Sequence, residues 1–359
     1  MTTFFDPLTA GSITLQNRII MAPMTRGRAD DDGNQAHIAA EYYAQRASAG
    51  LIISEAVNIS PLTKANDNTP GIYTLAQIDS WKAVTSAVHE KGGKIFMQLY
   101  HTGRLSLPEM LPGGAQPVSA SAVTAKWQNF TRSGLKDLVM PTALTTDGIR
   151  QTIRDFATAA GNAISAGFDG VELHAAYGYL IHQFLGTNSN IRTDEYGGSL
   201  ENRARFLFET LDAVASVIGA GRTGIRLSPG VPLHDMEEND AATLYPYLAD
   251  ALSSRHLAYL HVALGPVPAT DVDWHQLLRP AYRGVYFANG GFTKSSGEAL
   301  LAANGADAIV YGKLFLANPD LPERFRQDAV LNVPNPTTFY TPGEVGYTDY
   351  PRMEQVVTA

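Results

Sequence analysis

Eight short apolar runs recur along the chain, at 18–23, 50–56, 94–101, within 170–180, and at 224–229, 257–262, 284–290 and 308–312. In the 170–180 stretch, Val171 and Leu173 point one way and Glu172 and His174 the other, the period-2 signature of a strand. The run breaks at Gly178, and His174, Tyr177 and Tyr179 stand within a few residues of the break. A strand that stops and at once presents polar aromatic groups is how a barrel places chemistry at its C-terminal rim. Local hydrogen bonding at a strand end is the plain alternative.

Helical periodicity fills most of the intervals. Residues 75–91 carry Leu75, Ile78, Trp81, Val84 and Val88 on one stripe, ended by Gly92-Gly93. Asp147 suits the start of a helix bearing Ile149, Ile153, Phe156, Ala160 and Ile164, stopped by Gly167. Ser199 begins another, closed near Gly219, and Asp240 and Ser295 begin two more. Eight apolar strands alternating with helices predict a single α/β domain over 1–359, a parallel (β/α)8 barrel. A doubly wound open sheet is the alternative, but no Gly-x-Gly-x-x-Gly follows the first strand. Residues 8–17 read as an N-terminal hairpin lid around Gly11. The long connections 102–146 and 177–199 leave strands three and four at their C-terminal ends, which predicts a cover over the barrel mouth.

Composition narrows the partners. The net charge of -8, with no basic block, argues against nucleic acid. The absence of cysteine excludes disulfides, thiolate nucleophiles and Cys-ligated zinc or iron–sulfur clusters. No His-Glu-x-x-His spacing appears, so no metal is expected, and His182 and His261 read as structural. The N-terminus lacks a basic, apolar targeting pattern and no run reaches membrane-spanning length, so a cytoplasmic enzyme is expected.

The strand ends collect Pro23-Met24-Thr25, Ala56, Gln98, His174, Arg226, Asn289-Gly290-Gly291 and Gly312-Lys313. Glycine turns after strands seven and eight expose backbone N–H groups, the arrangement barrels use for phosphate, and Lys313 adds positive charge. Arg226 either pairs with Glu55 or Glu172 or faces a group that becomes anionic in turnover. Gln98 and Thr25 offer an amide and a hydroxyl to a planar heterocycle. Together these features suit a phosphorylated ring cofactor, best non-covalent flavin mononucleotide (FMN).

The motifs resemble those of the Old Yellow Enzyme family of flavin-dependent ene-reductases over nearly the whole length. They are Asn17-Arg18-Ile19-Ile20-Met21-Ala22-Pro23-Met24-Thr25-Arg26, Glu41-Tyr42-Tyr43-Ala44-Gln45-Arg46-Ala47, and Gln98-Leu99-Tyr100-His101-Thr102-Gly103-Arg104. The 170–180 stretch, residues 194–203, residues 316–321 and Gly346-Tyr347-Thr348-Asp349-Tyr350-Pro351 complete the match. The resemblance implies that Thr25 tunes the flavin and that Gln98 binds its pyrimidine edge. It implies that Arg226 stabilises negative charge on the reduced ring, and that Gly290, Gly291, Gly312 and Lys313 hold phosphate. His174 would polarise the substrate oxygen, Tyr179 would be the general acid, and Tyr347 would line the substrate mouth beside Thr25, Tyr100 and Tyr177, with simple packing of the tail as its alternative. The implied reaction is reduction of activated alkenes with NADPH or NADH, by a monomer or homodimer.

Three positions depart from the family pattern. Tyr177 stands where His or Asn is usual, Tyr100 replaces a common Trp, and Lys313 replaces Arg, keeping charge but losing the two-pronged fork. Three other readings compete. A dienoyl-CoA-reductase-like iron–sulfur branch is opposed by the missing cysteines. A glycosidase would use Glu55 and Glu172. A flavin-binding barrel of weak or altered activity would follow if Tyr177 fills the pocket.

Overall fold

The computed structural model describes residues 2–265 and 271–353. Eight strands form the centre: β1 (Ile19–Met21), β2 (Leu51–Asn58), β3 (Ile95–Tyr100), β4 (Gly170–Ala175), β5 (Thr223–Leu227), β6 (Tyr259–Ala263), β7 (Tyr286–Asn289) and β8 (Ala308–Tyr311). Each pairs in parallel with the next, and β8 pairs with β1, closing the barrel. Every strand overlaps one of the eight apolar runs, with ends that run one or two residues past it in β2, β5 and β6. Strands covered on both faces need apolar residues at nearly every position, which is why the runs are so continuous.

Side chains fill the barrel in layers. At the bottom, Ile20, Leu51, Ile53, Phe96, Tyr259, Phe287 and Val310 cluster with Ala10 and Leu15 of the N-terminal hairpin. That hairpin, Leu8–Ala10 against Ile13–Leu15, is tied down by Ser12 N–H donating to Gly221 O at 2.8 Å. Gly221 lies in the turn Ala220–Arg222 that leads into β5. The expected lid is therefore a plug in the N-terminal end of the barrel, opposite the rim.

The helices pack outside. In Leu75–Glu90 the stripe buries Ile78, Trp81, Val84 and Val88, but Leu75, at the first turn, is 81% exposed. Two helix starts differ from expectation. Thr145, not Asp147, caps Thr146–Ser165, accepting from Gly148 N–H. Thr293, not Ser295, caps Lys294–Ala302 through a reciprocal capping box with Ser296. Ser199 caps Leu200–Ile218, and Gly219, at φ +89°, ends it. Asp240 precedes Ala241–Ser253 but pairs with Arg203 instead of capping. Among the described residues, no helix is long and apolar enough to cross a membrane.

Residues 102–146 fold back over the rim as turns and a hairpin, Gln128–Thr131 with Gly134–Asp137. Leu105, Leu107, Ala125 and Leu138 make a small apolar core within this cover, and Tyr179 packs against it.

Candidate active site

Pairing register assembles the centre of the rim. Glu172 on β4 lies opposite Gln98 on β3, His174 opposite Arg226 on β5, and Arg226 opposite His261 on β6. Glu172, fully buried, accepts from Gln98 Nε2 at 2.7 Å and meets His261 Nδ1 at 2.9 Å. Burial holds the His261 imidazole below its ordinary pKa against the opposing pull of Glu172.

His174 sits one layer higher, also buried. Its Nδ1 accepts from the Ala176 N–H at 3.3 Å, which leaves the ring hydrogen on Nε2. Burial, helped by the nearby Arg226 cation, pushes its pKa well below 6.5. His174 is thus a neutral N–H donor. The Tyr179 ring stands edge-on to it, centroids 4.7 Å apart, and edge-on to Tyr100 at 5.2 Å. Burial pushes the Tyr179 phenol up to about 12, with Tyr340 adding to the rise. Tyr100 is raised further by its own burial. Both phenols hold their protons at neutral pH.

The sharp turn that presents these groups is fixed from below. Gly178, at φ +78°, donates its N–H to His182 Nδ1 at 2.9 Å, and His182 Nε2 meets Glu238 at 2.9 Å. A Cβ at Gly178 would lie 2.9 Å from the Cβ of His234, so only glycine fits here. His182 and His261 are both structural partners of buried carboxylates, and among the described residues no cluster suits a metal.

Arg226 settles one alternative. Its Nε is buried without a hydrogen-bond partner, and it forms no ion pair among the described residues. The two carboxylates proposed to neutralise it are occupied elsewhere. Glu55 accepts from Arg26 N–H at 3.1 Å and Gln35 Nε2 at 2.9 Å, and burial raises its pKa. Glu172 is held by Gln98 and His261. Two carboxylates locked in separate networks do not make a glycosidase pair.

Around this centre, Thr25 and Met24 follow β1 and Ala56 follows an irregularity in β2. The Gly290-Gly291 turn follows β7 and Gly312-Lys313 follows β8, on adjacent strands, with Lys313 exposed. Gly291 has φ +75° and open space where a Cβ would be. Gly312 lies beside Met24, whose Sδ is 3.5 Å from the position of an added Cβ. The Asn289 amide, expected at the cofactor, instead donates to Val310 O at 2.8 Å and ties β7 to β8 beneath the two turns. The donor set fits FMN: a guanidinium with no ion pair among the described residues and an imidazole N–H at the centre, an amide on β3 and a hydroxyl after β1, and glycine-turn amides with a lysine at the edge.

One expected substrate contact, Tyr347, is placed differently, whereas Tyr177 stands edge-on to His174 with centroids 6.2 Å apart. Tyr347 is fully buried, its ring lying flat on Tyr42 with centroids 4.0 Å apart and Arg26 and Arg28 over the pair. It belongs to the packing of the tail and not to the mouth. Tyr177 turns its ring toward Arg226 and its hydroxyl toward Leu264 O at 3.4 Å. Three residues at the rim escaped the sequence reading. Tyr340, 69% exposed, stands near enough to Tyr179 to raise its pKa. His234 faces Tyr179 at 5.9 Å, and Trp127 of the cover meets His234 edge-on at 5.0 Å. No periodicity or spacing marks any of them.

A closed eight-strand barrel with this rim is that of a flavin-dependent oxidoreductase. The pattern of the NADH:flavin oxidoreductase / NADH oxidase family matches residues 3–332. The chain is 45% identical over 359 residues to 12-oxophytodienoate reductase 1 of Oryza sativa subsp. japonica, covering 98% of this chain and 93% of that protein. It is 44% identical to a probable flavin mononucleotide-dependent alkene reductase of Leishmania infantum, covering 97% and 96%. Morphinone reductase in complex with tetrahydroNAD superposes with a TM-score of 0.94 at 46% identity, covering 98% of both chains. The old yellow enzyme homologue from Zymomonas mobilis gives 0.95 at 41%, covering 98% and 99%. The chain belongs to the NADH:flavin oxidoreductase / NADH oxidase family, that of Old Yellow Enzyme, and is an FMN-dependent oxidoreductase.

Proposed function

We propose that this enzyme reduces activated alkenes (enones, enals, maleimides and nitroalkenes) with NADPH or NADH as reductant, in the cytoplasm, as a monomer or homodimer. The observation that carries the reading is the neutral His174 Nε2–H beside the protonated Tyr179 phenol, next to an Arg226 guanidinium without a carboxylate partner among the described residues. The named relatives, one of them complexed with tetrahydroNAD, support both the alkene substrate and the nicotinamide reductant.

Bound FMN would supply the hydride-transfer chemistry that links the nicotinamide to the alkene. Gly290, Gly291, Gly312 and Lys313 would hold its phosphate, and Thr25, Gln98 and Arg226 its ring system. His174 donates from Nε2 to the substrate oxygen, where negative charge develops and a fixed donor is worth most. Tyr179 delivers its proton to the α-carbon. Tyr100, edge-on to Tyr179, restricts that ring, and the cover packed on Tyr179 limits water around the phenol. Anaerobic addition of NADPH should bleach a yellow preparation, and cyclohexenone should restore the colour. Bleaching that no enone reverses refutes alkene reduction.

A further inference from the structure

Tyr177 occupies a backbone conformation that a tyrosine rarely adopts. Its φ is +51°, in the left-handed region that costs a non-glycine residue on the order of 1–3 kcal/mol unless its surroundings impose it. Three contacts from three segments impose it. Ser228 Oγ, just past β5, accepts from the Tyr177 N–H at 2.8 Å. His234 Nδ1 meets the Tyr177 carbonyl at 2.6 Å, so that nitrogen bears the hydrogen and donates. The Tyr177 hydroxyl reaches Leu264 O, just past β6, at 3.4 Å. His234 is itself left-handed, at φ +58°. Two strained residues are thus bonded to each other, and what they hold in place is one aromatic face. The Arg226 guanidinium carbon lies 4.9 Å from the centre of the Tyr177 ring.

From this we infer that Tyr177 is a positioning residue for Arg226, and through it sets the reduction potential of the bound flavin. The inference rests on the FMN reading. Arg226 is buried, has no carboxylate partner, and keeps an orphaned Nε among the described residues. A lone guanidinium in that state is held chiefly by what lies on its faces. An aromatic ring attracts the cation and displaces water from that face. The drier the surroundings, the less the positive charge is screened. A cation so held favours the more negative, reduced form of the ring it faces and raises the potential. The phenolic oxygen has little part in this, since its hydrogen bond is long and goes to Leu264 O.

The test compares Tyr177→Asn and Tyr177→Phe as FMN-loaded enzymes. Asparagine accepts left-handed backbone well, so the fold is retained, and thermal melting checks it. Spectroelectrochemical titration should give Tyr177→Asn a more negative midpoint potential than the parent, and Tyr177→Phe an unshifted one. In rapid mixing, Tyr177→Asn should be reduced more slowly by NADPH while its reoxidation by cyclohexenone is not slowed. An unshifted potential in Tyr177→Asn overturns the inference, as does an equal shift in Tyr177→Phe. A preparation unable to bind FMN would instead sink the functional reading beneath it.

Discussion

The Ala176 N–H donates to His174 Nδ1 at 3.3 Å, and this one bond decides which nitrogen of the imidazole proposed to meet the substrate carries hydrogen. With the ring's pKa well below 6.5, His174 stays neutral through the physiological range. Tyr179 titrates at about 12, far above it. Both groups keep one protonation state from pH 6 to 9. Single-turnover reoxidation by cyclohexenone should therefore be flat across that window. It should fall only as pH climbs toward 12 and the phenol loses its proton. A limb near pH 6.5 in the parent that vanishes in His174→Asn would contradict a neutral imidazole.

Tyr179→Phe keeps the ring that packs against Leu105 and Leu138 but removes the proton. Reoxidation by an enone should slow by roughly 10²–10⁴-fold, the usual contribution of a positioned acid. Reduction by NADPH should change little. Stopped-flow absorbance separates the two halves, and equal losses in both would refute the assignment.

The Tyr347 stack predicts a stability effect without a kinetic one. Its hydroxyl is buried and unpartnered, so Tyr347→Phe should be neutral or slightly stabilising. Tyr347→Ala empties a site between Tyr42 and two guanidinium groups and should lose about 3–5 kcal/mol in denaturant unfolding. KM for the enone should be unaltered in Tyr347→Phe. A large rise would return Tyr347 to the mouth.

Replacing Glu172 by Ala strands the Gln98 amide and the His261 imidazole, both buried. Each loses a hydrogen bond it cannot replace, at about 1–3 kcal/mol apiece. The melting temperature of the FMN-free protein should drop clearly, and FMN binding should weaken as Gln98 loses its fixed orientation. Unchanged melting would mean that the network contributes nothing to the barrel.

Lys313 is exposed, with no ion pair among the described residues, at the turn after β8. Lys313→Ala should weaken FMN binding by about tenfold, as expected for one charge-assisted hydrogen bond. The parent's affinity should decline with salt more steeply than the variant's. Quenching of FMN fluorescence at two ionic strengths measures both.

The barrel was legible because strands buried on both faces leave continuous apolar runs, and Glu172 and His174 were readable as one face of β4 by simple alternation. Helix starts were less so where two capping residues compete. Thr145 and Asp147 are both good caps, and only the path of the chain selects Thr145. The hairpin in the cover gave no signal, since Phe130 and Leu135 are paired across it yet both exposed. Tyr177 was legible as a departure but not in direction. Nothing in its neighbours says that a tyrosine will take left-handed backbone, because the bonds that force it come from Ser228, His234 and Leu264, far along the chain.

The plug at Leu8–Leu15 makes the two ends of this enzyme separable inheritances. One end is a hydrophobic floor contributed by strand beginnings and a local hairpin. Chemistry depends on segments that depart from the far side. Mutational search can therefore exchange the roof for new substrates while the foundation goes unedited. Random libraries confined to the exposed positions of the Gln128–Asp137 hairpin should yield many folded proteins of diverse selectivity.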